Sequence, residues 1–345
     1  MKLGLTLSSG ARIALPMDLI RRAEALGFDS VWSAEAYGAD AVTPTAWVLA
    51  QTTRIKAGTA IMQMPARSPA ATAMTAATLA QLSGGRFILG VGPSGPQVAE
   101  GWHGVAYGKP LLRTREYVQI IRQIWAREAP LRFQGEHYQI PYTGPGATGQ
   151  GRPLRAILHA DPGIPIYTAS ISPGGLRVAG EVADGVFPVW MSPERFELIG
   201  RPLEEGFAKA GGGKSLADFA ICPSVGVALG DDLEKCRRPS RAMLALYVGG
   251  MGSREKNFYN DYARRMGFEA EAARIQELFL EGRKDEAMAA VPERLIDEIA
   301  LVGPRERILD RLEVWKDAAR KGHVHTLNVS TQQPEVLELL AEAVL

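Results

Sequence analysis

The chain has 345 residues, 46% of them hydrophobic, and its 39 basic residues nearly balance 38 acidic ones. That length suits two ordinary domains or one large α/β barrel, and without a basic excess neither a nucleic-acid surface nor a polybasic membrane arm is expected. Cys222 and Cys236 make no CxxC pair and no metal spacing; with no run near the roughly 20 apolar residues of a membrane span and an opening run too short for a signal-peptide core, a cytoplasmic protein is expected.

Strands and helices alternate along the chain. LGLTL (3–7) reads as a strand, and Pro16 opens a helix that Gly27 ends as a C-cap. SVWSAE (30–35) is the second strand. A helix over 43–53 follows, with Thr43 as N-cap and Pro44 at its first position. IKAGTAI (55–61) is the third strand, and Ser68 caps a helix over 68–82 whose small residues suit close packing on a sheet. RFILGVG (86–92) is the fourth strand. The helix over 113–128 carries Val118, Ile121 and Trp125 at helical spacing.

Residues 129–163 break this rhythm with a hairpin pattern and a Gly/Pro-rich loop, an insertion in the scaffold. The alternation resumes with a strand over 164–170, a helix over 174–183, a strand over 184–190, a helix, and a strand over 219–229. A broken helical excursion fills 231–300, and a helix over 304–322 precedes the eighth strand, HTLNVS (325–330). Eight strands with helical crossovers predict a single (β/α)8 TIM barrel over 1–345.

The fourth strand runs into Gly90-x-Gly92-x-x-Gly95, the spacing of a dinucleotide fingerprint. That fingerprint belongs to the first βα unit of a nucleotide half, whereas this one follows the fourth strand. Gly90 is therefore read as a close approach of two backbones. Gly92 to Gly95 are read as a site at the carboxyl end of a barrel strand, where barrel enzymes build their chemistry. GGGKS (211–215) follows a helix and lacks the first glycine of a P-loop, so it is a helix-exit loop. The five histidines form no HExxH motif; His323 and His325 would share a strand face, and no metal site is expected. Trp32, Trp47, Trp125 and Trp315 are expected in the core.

AEALGFDSVWSAE (23–35), ATLAQLSGGRFILGVGPSGP (77–96) and PIYTASISPGGLRVAGEVADGVF (165–187), in that order, resemble the luciferase-like flavin and deazaflavin oxidoreductases. GVGPSGPQVAEGWHG with YGKPLLRTREYV is most similar to the branch that uses coenzyme F420. The resemblance implies a cofactor across the carboxyl ends of the strands, with FMN the alternative. It implies a cis peptide at Ala60-Ile61, ring contacts from Gly92, Pro93, Ser94, Gly95 and Gln97, and a phosphate site at Ser170, Ile171, Ser172 and Gly174. Free N–H groups at a helix N-terminus beside hydroxyl side chains suit such an anion, although Ser172 could simply cap its helix. Val189 and Trp190 fall near the cofactor tail, though Trp190 could equally pack beneath the insertion.

The implied activity is hydride transfer between reduced deazaflavin and an electrophilic C=C, C=O or C=N group of a small molecule. Trp102, Tyr37 and Trp190 would wall the pocket. Glu35 is the first candidate proton donor, or else a loop anchor; His103 and Tyr37 come next. The sugar-phosphate dehydrogenase branch has a histidine where Ala36 stands and a glutamate where Gly95 stands, so its proton-transfer pair is missing. An FMN-dependent monooxygenase and a non-catalytic flavin-binding protein are the competing readings, and a homodimer or higher homo-oligomer is expected.

Overall fold

Eight short apolar runs form the staves of a closed parallel barrel. The computed structural model describes residues 1–7 and 10–345. In chain order the staves are Lys2–Thr6, Ser30–Ser33, Lys56–Thr59 continued by Met62–Gln63, Phe87–Gly92, Ile166–Ser170, Gly185–Pro188, Ala220–Ile221 continued by Ser224–Leu229, and Thr326–Ser330. Each pairs in parallel with its neighbours, and helices cross between them.

Closure runs through the seventh stave, which changes partner midway. Its first half pairs with the sixth stave, Ala220 opposite Gly185, and its second half with the eighth, Ser224 opposite Asn328. Cys222 and Pro223 join the halves, and the eighth stave bonds back onto the join, from Asn328 N to Pro223 O at 2.9 Å. The far end of the seventh stave also pairs with Ala300–Gly303, a strand outside the barrel that the sequence pattern does not reveal.

The third stave contains a bulge. Gly58 pairs with Ile88 and Met62 with Val91, so the third stave spends one residue more than the fourth between these rungs. The Ala60-Ile61 peptide inside it is cis.

The lumen is a packed layer. Trp32, Ile88, Tyr167, Phe187, Ala220 and Cys222 fill it, with the Trp32 and Phe187 rings edge to face at 4.9 Å. Glycines on neighbouring staves make room for these plates: a Cβ on Gly58 would stand 2.6 Å from Trp32 Cζ3. Burial pushes the Cys222 thiol up to about 12, so it is a packing group and not a nucleophile. A larger apolar layer, including Trp125 and Trp315, lies between staves and helices.

Trp47 is a correction. It is 57% exposed, because the inward face of helix Val42–Gln51 is made by Pro44, Thr45, Val48 and Leu49, and position 47 falls on the other side. Thr43 is likewise not the cap. The carboxylate of Asp40 accepts from Val42 N and Thr43 N at 2.9 and 2.8 Å. The eighth stave begins at Thr326, so His323 and His325 precede it and share no strand face. His323 stacks on Phe196 instead, with centroids 3.6 Å apart.

The insertion holds a two-rung antiparallel ladder, Phe133–Gln134 with Gln139–Ile140. Five helices from Leu233–Gly250 to Glu293–Ile299 make up the excursion. Among the described residues no helix is long and apolar enough to cross a membrane.

One carboxylate holds the entry to the third stave. Glu24 Oε1 accepts from the main-chain N–H groups of Thr53, Arg54 and Ile55 at 2.7 to 3.0 Å. Burial alone would raise its pKa, but these donors outweigh burial and hold it below the ordinary value. Glu24→Ala should cost about 2 kcal/mol at neutral pH. A lowered folded pKa means the contribution is complete above the unfolded carboxyl value and disappears as pH falls through the folded one. Urea unfolding should therefore separate wild type from the variant at pH 7 and bring them together in acid.

Candidate functional site

The carboxyl ends of the second, third and fourth staves carry one connected polar network. Gln63, the last residue of the third stave, is 2% exposed. Its Nε2 donates to the main-chain oxygen of Glu35 at 3.1 Å and to Ser94 Oγ at 3.2 Å. A carbonyl oxygen only accepts, so the amide orientation is fixed and Oε1 faces His103 Nε2 at 2.8 Å. His103 must then donate from Nε2. Its Nδ1 bonds to no described residue and is the ring position able to take up or release a proton.

Glu35 is committed elsewhere. Oε1 accepts from Gln63 N at 2.7 Å and pairs with Arg67 Nη1; Oε2 accepts from Ala41 N at 2.9 Å. The side chain is 6% exposed. Of the two roles open to it from the sequence, these bonds correspond to the loop anchor, tying residues 35–41 to the third stave. Tyr37 and Trp102 stand on the rim, each 65% exposed.

The loop after the fourth stave turns through Ser94 at φ 61°. Among the described residues only Ser94, Arg127 and Trp190 are non-glycines with positive φ, and two of these follow barrel staves. Such backbone persists only where its surroundings enforce it, which is common at ligand sites. Tyr107 OH donates to Ser94 O at 3.3 Å. Pro93 and Gly95 are half-buried, and Gln97 is exposed in the short helix Pro96–Gly101. A Cβ on Gly92 would lie 3.0 Å from Ile61 Cγ1, so the glycine admits the bulge side chain. Ala60 and Ile61 rest on the lumen layer beside Ala169.

At the fifth stave Ser172 caps helix Pro173–Val182, its Oγ accepting from Gly175 N at 3.1 Å. Ser170 is 9% exposed, and its Oγ lies 3.4 Å from where a Cβ on Gly175 would be. That hydroxyl bonds to no described residue. Ile171 O accepts from Arg265 Nη2 at 2.9 Å. A Cβ on Gly174 would meet Leu111 Cδ1 at 2.8 Å.

Trp190 requires correction. Its positive φ turns the ring under the helical excursion, not the insertion, where it packs on Tyr247 and Tyr259 at 5.9 and 5.3 Å. At 7% exposed it presents little surface, in contrast to Tyr37 and Trp102 at 65% each. Val189 packs half-buried against the larger apolar layer.

Other sequence features lie away from this network. Lys214 of the GGGKS loop donates to Ala183 O at 2.5 Å and sits over the Phe207 and Phe219 rings. Among the described residues no group of three His, Cys, Asp or Glu side chains could hold a metal. A cavity of about 200 Å³ lies at the opposite, amino-terminal end of the barrel, against Lys2, Asp29 and His325.

Sequence reading missed Gln63, Arg67, Tyr107 and Arg265. Gln63 had a signal, a lone amide in the apolar run AIMQMP. Arg265 had none, since its meaning depends on how the excursion folds back.

The pattern of the luciferase-like monooxygenase family matches residues 2–321. A Mycobacterium tuberculosis protein whose name places it among coenzyme F420-dependent oxidoreductases is 43% identical over 94% of this chain and 93% of its own. The 5,10-methylenetetrahydromethanopterin reductase of Archaeoglobus fulgidus is 28% identical over 94% and 93%. In architecture the chain is similar to the coenzyme F420-dependent tetrahydromethanopterin reductase of Methanopyrus kandleri, with a TM-score of 0.74 at 23% identity over 99% and 98% of the two chains.

Proposed function

The chain belongs to the luciferase-like monooxygenase family, and from that premise we propose that it is a coenzyme F420-dependent oxidoreductase. The reaction is hydride transfer between the reduced deazaflavin and an electrophilic C=C, C=O or C=N group of a small molecule. The Gln63–His103 pair carries this reading: it holds one titratable ring, in a defined tautomer, at the mouth of the barrel.

The residues fit the cofactor. The fifth-stave turn offers main-chain N–H groups and the unpartnered Ser170 hydroxyl to a phosphate. The Ala60-Ile61 bulge and Gly92 form an apolar floor on which a flat ring could rest. When bound, the deazaflavin supplies the hydride.

The chain supplies the rest. Glu35, paired with Arg67, keeps the 35–41 loop against the third stave. Gln63 aims His103. The imidazole holds or delivers a proton at Nδ1, a role assigned here to His103 in preference to Glu35. Tyr37 and Trp102 give an apolar rim from which water can be excluded when substrate covers them.

Parallel titration of the purified protein with F420 and FMN tests the assignment. Micromolar binding of F420, with FMN much weaker, is expected, and FMN binding with none of F420 overturns it. Oxidation of reduced F420 by a panel of enones, ketones and imines should give turnover. Tight binding with complete inertness across the panel would make the protein a carrier.

A further inference from the structure

We propose that Arg265 is the cationic partner of the cofactor's phosphate, brought to the fifth-stave turn by the helical excursion; this rests on the reading above. Arg265 ends helix Phe258–Arg265, and its Nη2 donates to the carbonyl of Ile171, between Ser170 and Ser172. The guanidinium therefore stands at the mouth of the turn.

Three observations point to an anion there. No carboxylate among the described residues pairs with Arg265, while most other arginines of the chain have ion-pair or multiple acceptor partners. Its Nε has no acceptor, as is also true of Arg241 and Arg311, but those two spend their Nη groups on Glu234 and Glu194 whereas Arg265 meets only a carbonyl. A buried donor without a partner is costly, the more so in a charged group, so an acceptor is expected beside the guanidinium. The Tyr262 ring, 5.3 Å away, covers one face of the guanidinium and leaves its edge for hydrogen bonding.

The facing side of the turn is complementary. Ser170 is 9% exposed as a residue, and its hydroxyl, unbonded among the described residues, lies beside the first turn of helix Pro173–Val182. A hydroxyl, main-chain N–H groups and a guanidinium make up a phosphate donor set. Burial lowers the pKa of Arg265 against a smaller opposing pull from Tyr262 and Asp261, consistent with a cation lacking a close counter-charge.

The same cation could instead meet the carboxylates of the F420 tail, so the test uses three probes. These are the deazaflavin alcohol without phosphate, its 5′-phosphate, and whole F420. Arg265→Met should weaken both phosphate-bearing probes about 10- to 100-fold and leave the alcohol unchanged. The wild-type preference for the 5′-phosphate over the alcohol should shrink as salt is raised. Equal losses on all three probes would make Arg265 a structural clamp and overturn the proposal. Loss on F420 alone would assign it to the tail carboxylates and also overturn it. If Arg265→Met does not fold, Arg265→Lys gives the reading, with a smaller loss confined to the phosphate-bearing probes. Wild type binding none of the probes overturns the functional reading and this inference together; binding without discrimination by Arg265 overturns the inference alone.

Discussion

Replacing His103 with alanine should lower turnover about 10²–10⁴-fold while F420 affinity holds, the range a positioned proton donor or acceptor contributes. The reasoning is geometric. Gln63 cannot rotate its amide without presenting an N–H₂ group to His103 and a carbonyl to the Glu35 oxygen. The imidazole is thus fixed at Nε2, and proton exchange is confined to Nδ1. Added imidazole should restore part of the His103→Ala activity, since a small base can enter the space left. Gln63→Leu should lower kcat by a smaller factor, because the ring remains but loses its orientation. His103→Ala with unchanged turnover would remove this residue from the mechanism.

Gly90→Ala should produce the largest loss of stability of any single methyl added to the barrel. Its Cβ would stand 1.8 Å from the carbonyl oxygen of Thr59 and 2.8 Å from Phe187 Cε2. The Thr59 strand cannot withdraw easily. Thr59 Oγ1 donates to Gly90 O at 2.7 Å and accepts from Gly90 N at 3.0 Å, holding the two staves together. Overpacking at such a site costs about 3 kcal/mol or more. In a chain of this size that lowers the melting temperature by roughly 4 °C or more, or abolishes soluble expression. Gly92→Ala is the control. Its new Cβ would meet side chains and no backbone, Ile61 at 3.0 Å and Ala169 at an ordinary 3.6 Å, so it should fold and change cofactor affinity instead. Calorimetry of the two variants side by side checks the contrast.

Gly90 also shows how much the sequence could reveal. Its reading as a close backbone contact stands, because a glycine inside an apolar strand has few other uses. The staves and most helix ends were legible for the same local reason. Pro16, Gly27, Ser68, Ser172 and Pro334 act through backbone preferences that do not depend on the rest of the fold. What escaped was settled at a distance. Trp47 looks apolar enough for the core until its neighbours choose the inward face. Glu35 leaves two roles open in the sequence, and the partners that bear on the choice, Arg67 and two main-chain amides, come from other elements. Trp190 follows a stave whose end looks like a binding position, yet Tyr247 and Tyr259, from the least readable part of the chain, cover its ring.

The extra residue in the third stave has a consequence for orientation. Side chains along a strand alternate between its faces, so one added residue reverses odd and even positions beyond it. Before the bulge, even-numbered Gly58 faces the lumen and odd-numbered Ala57 faces the helices. After it, even-numbered Met62 reaches outward to Thr72 and odd-numbered Gln63 reaches the mouth. Straightening the bulge with every residue kept would carry the original parity through, turning Met62 inward and Gln63 outward and leaving the imidazole without its guide.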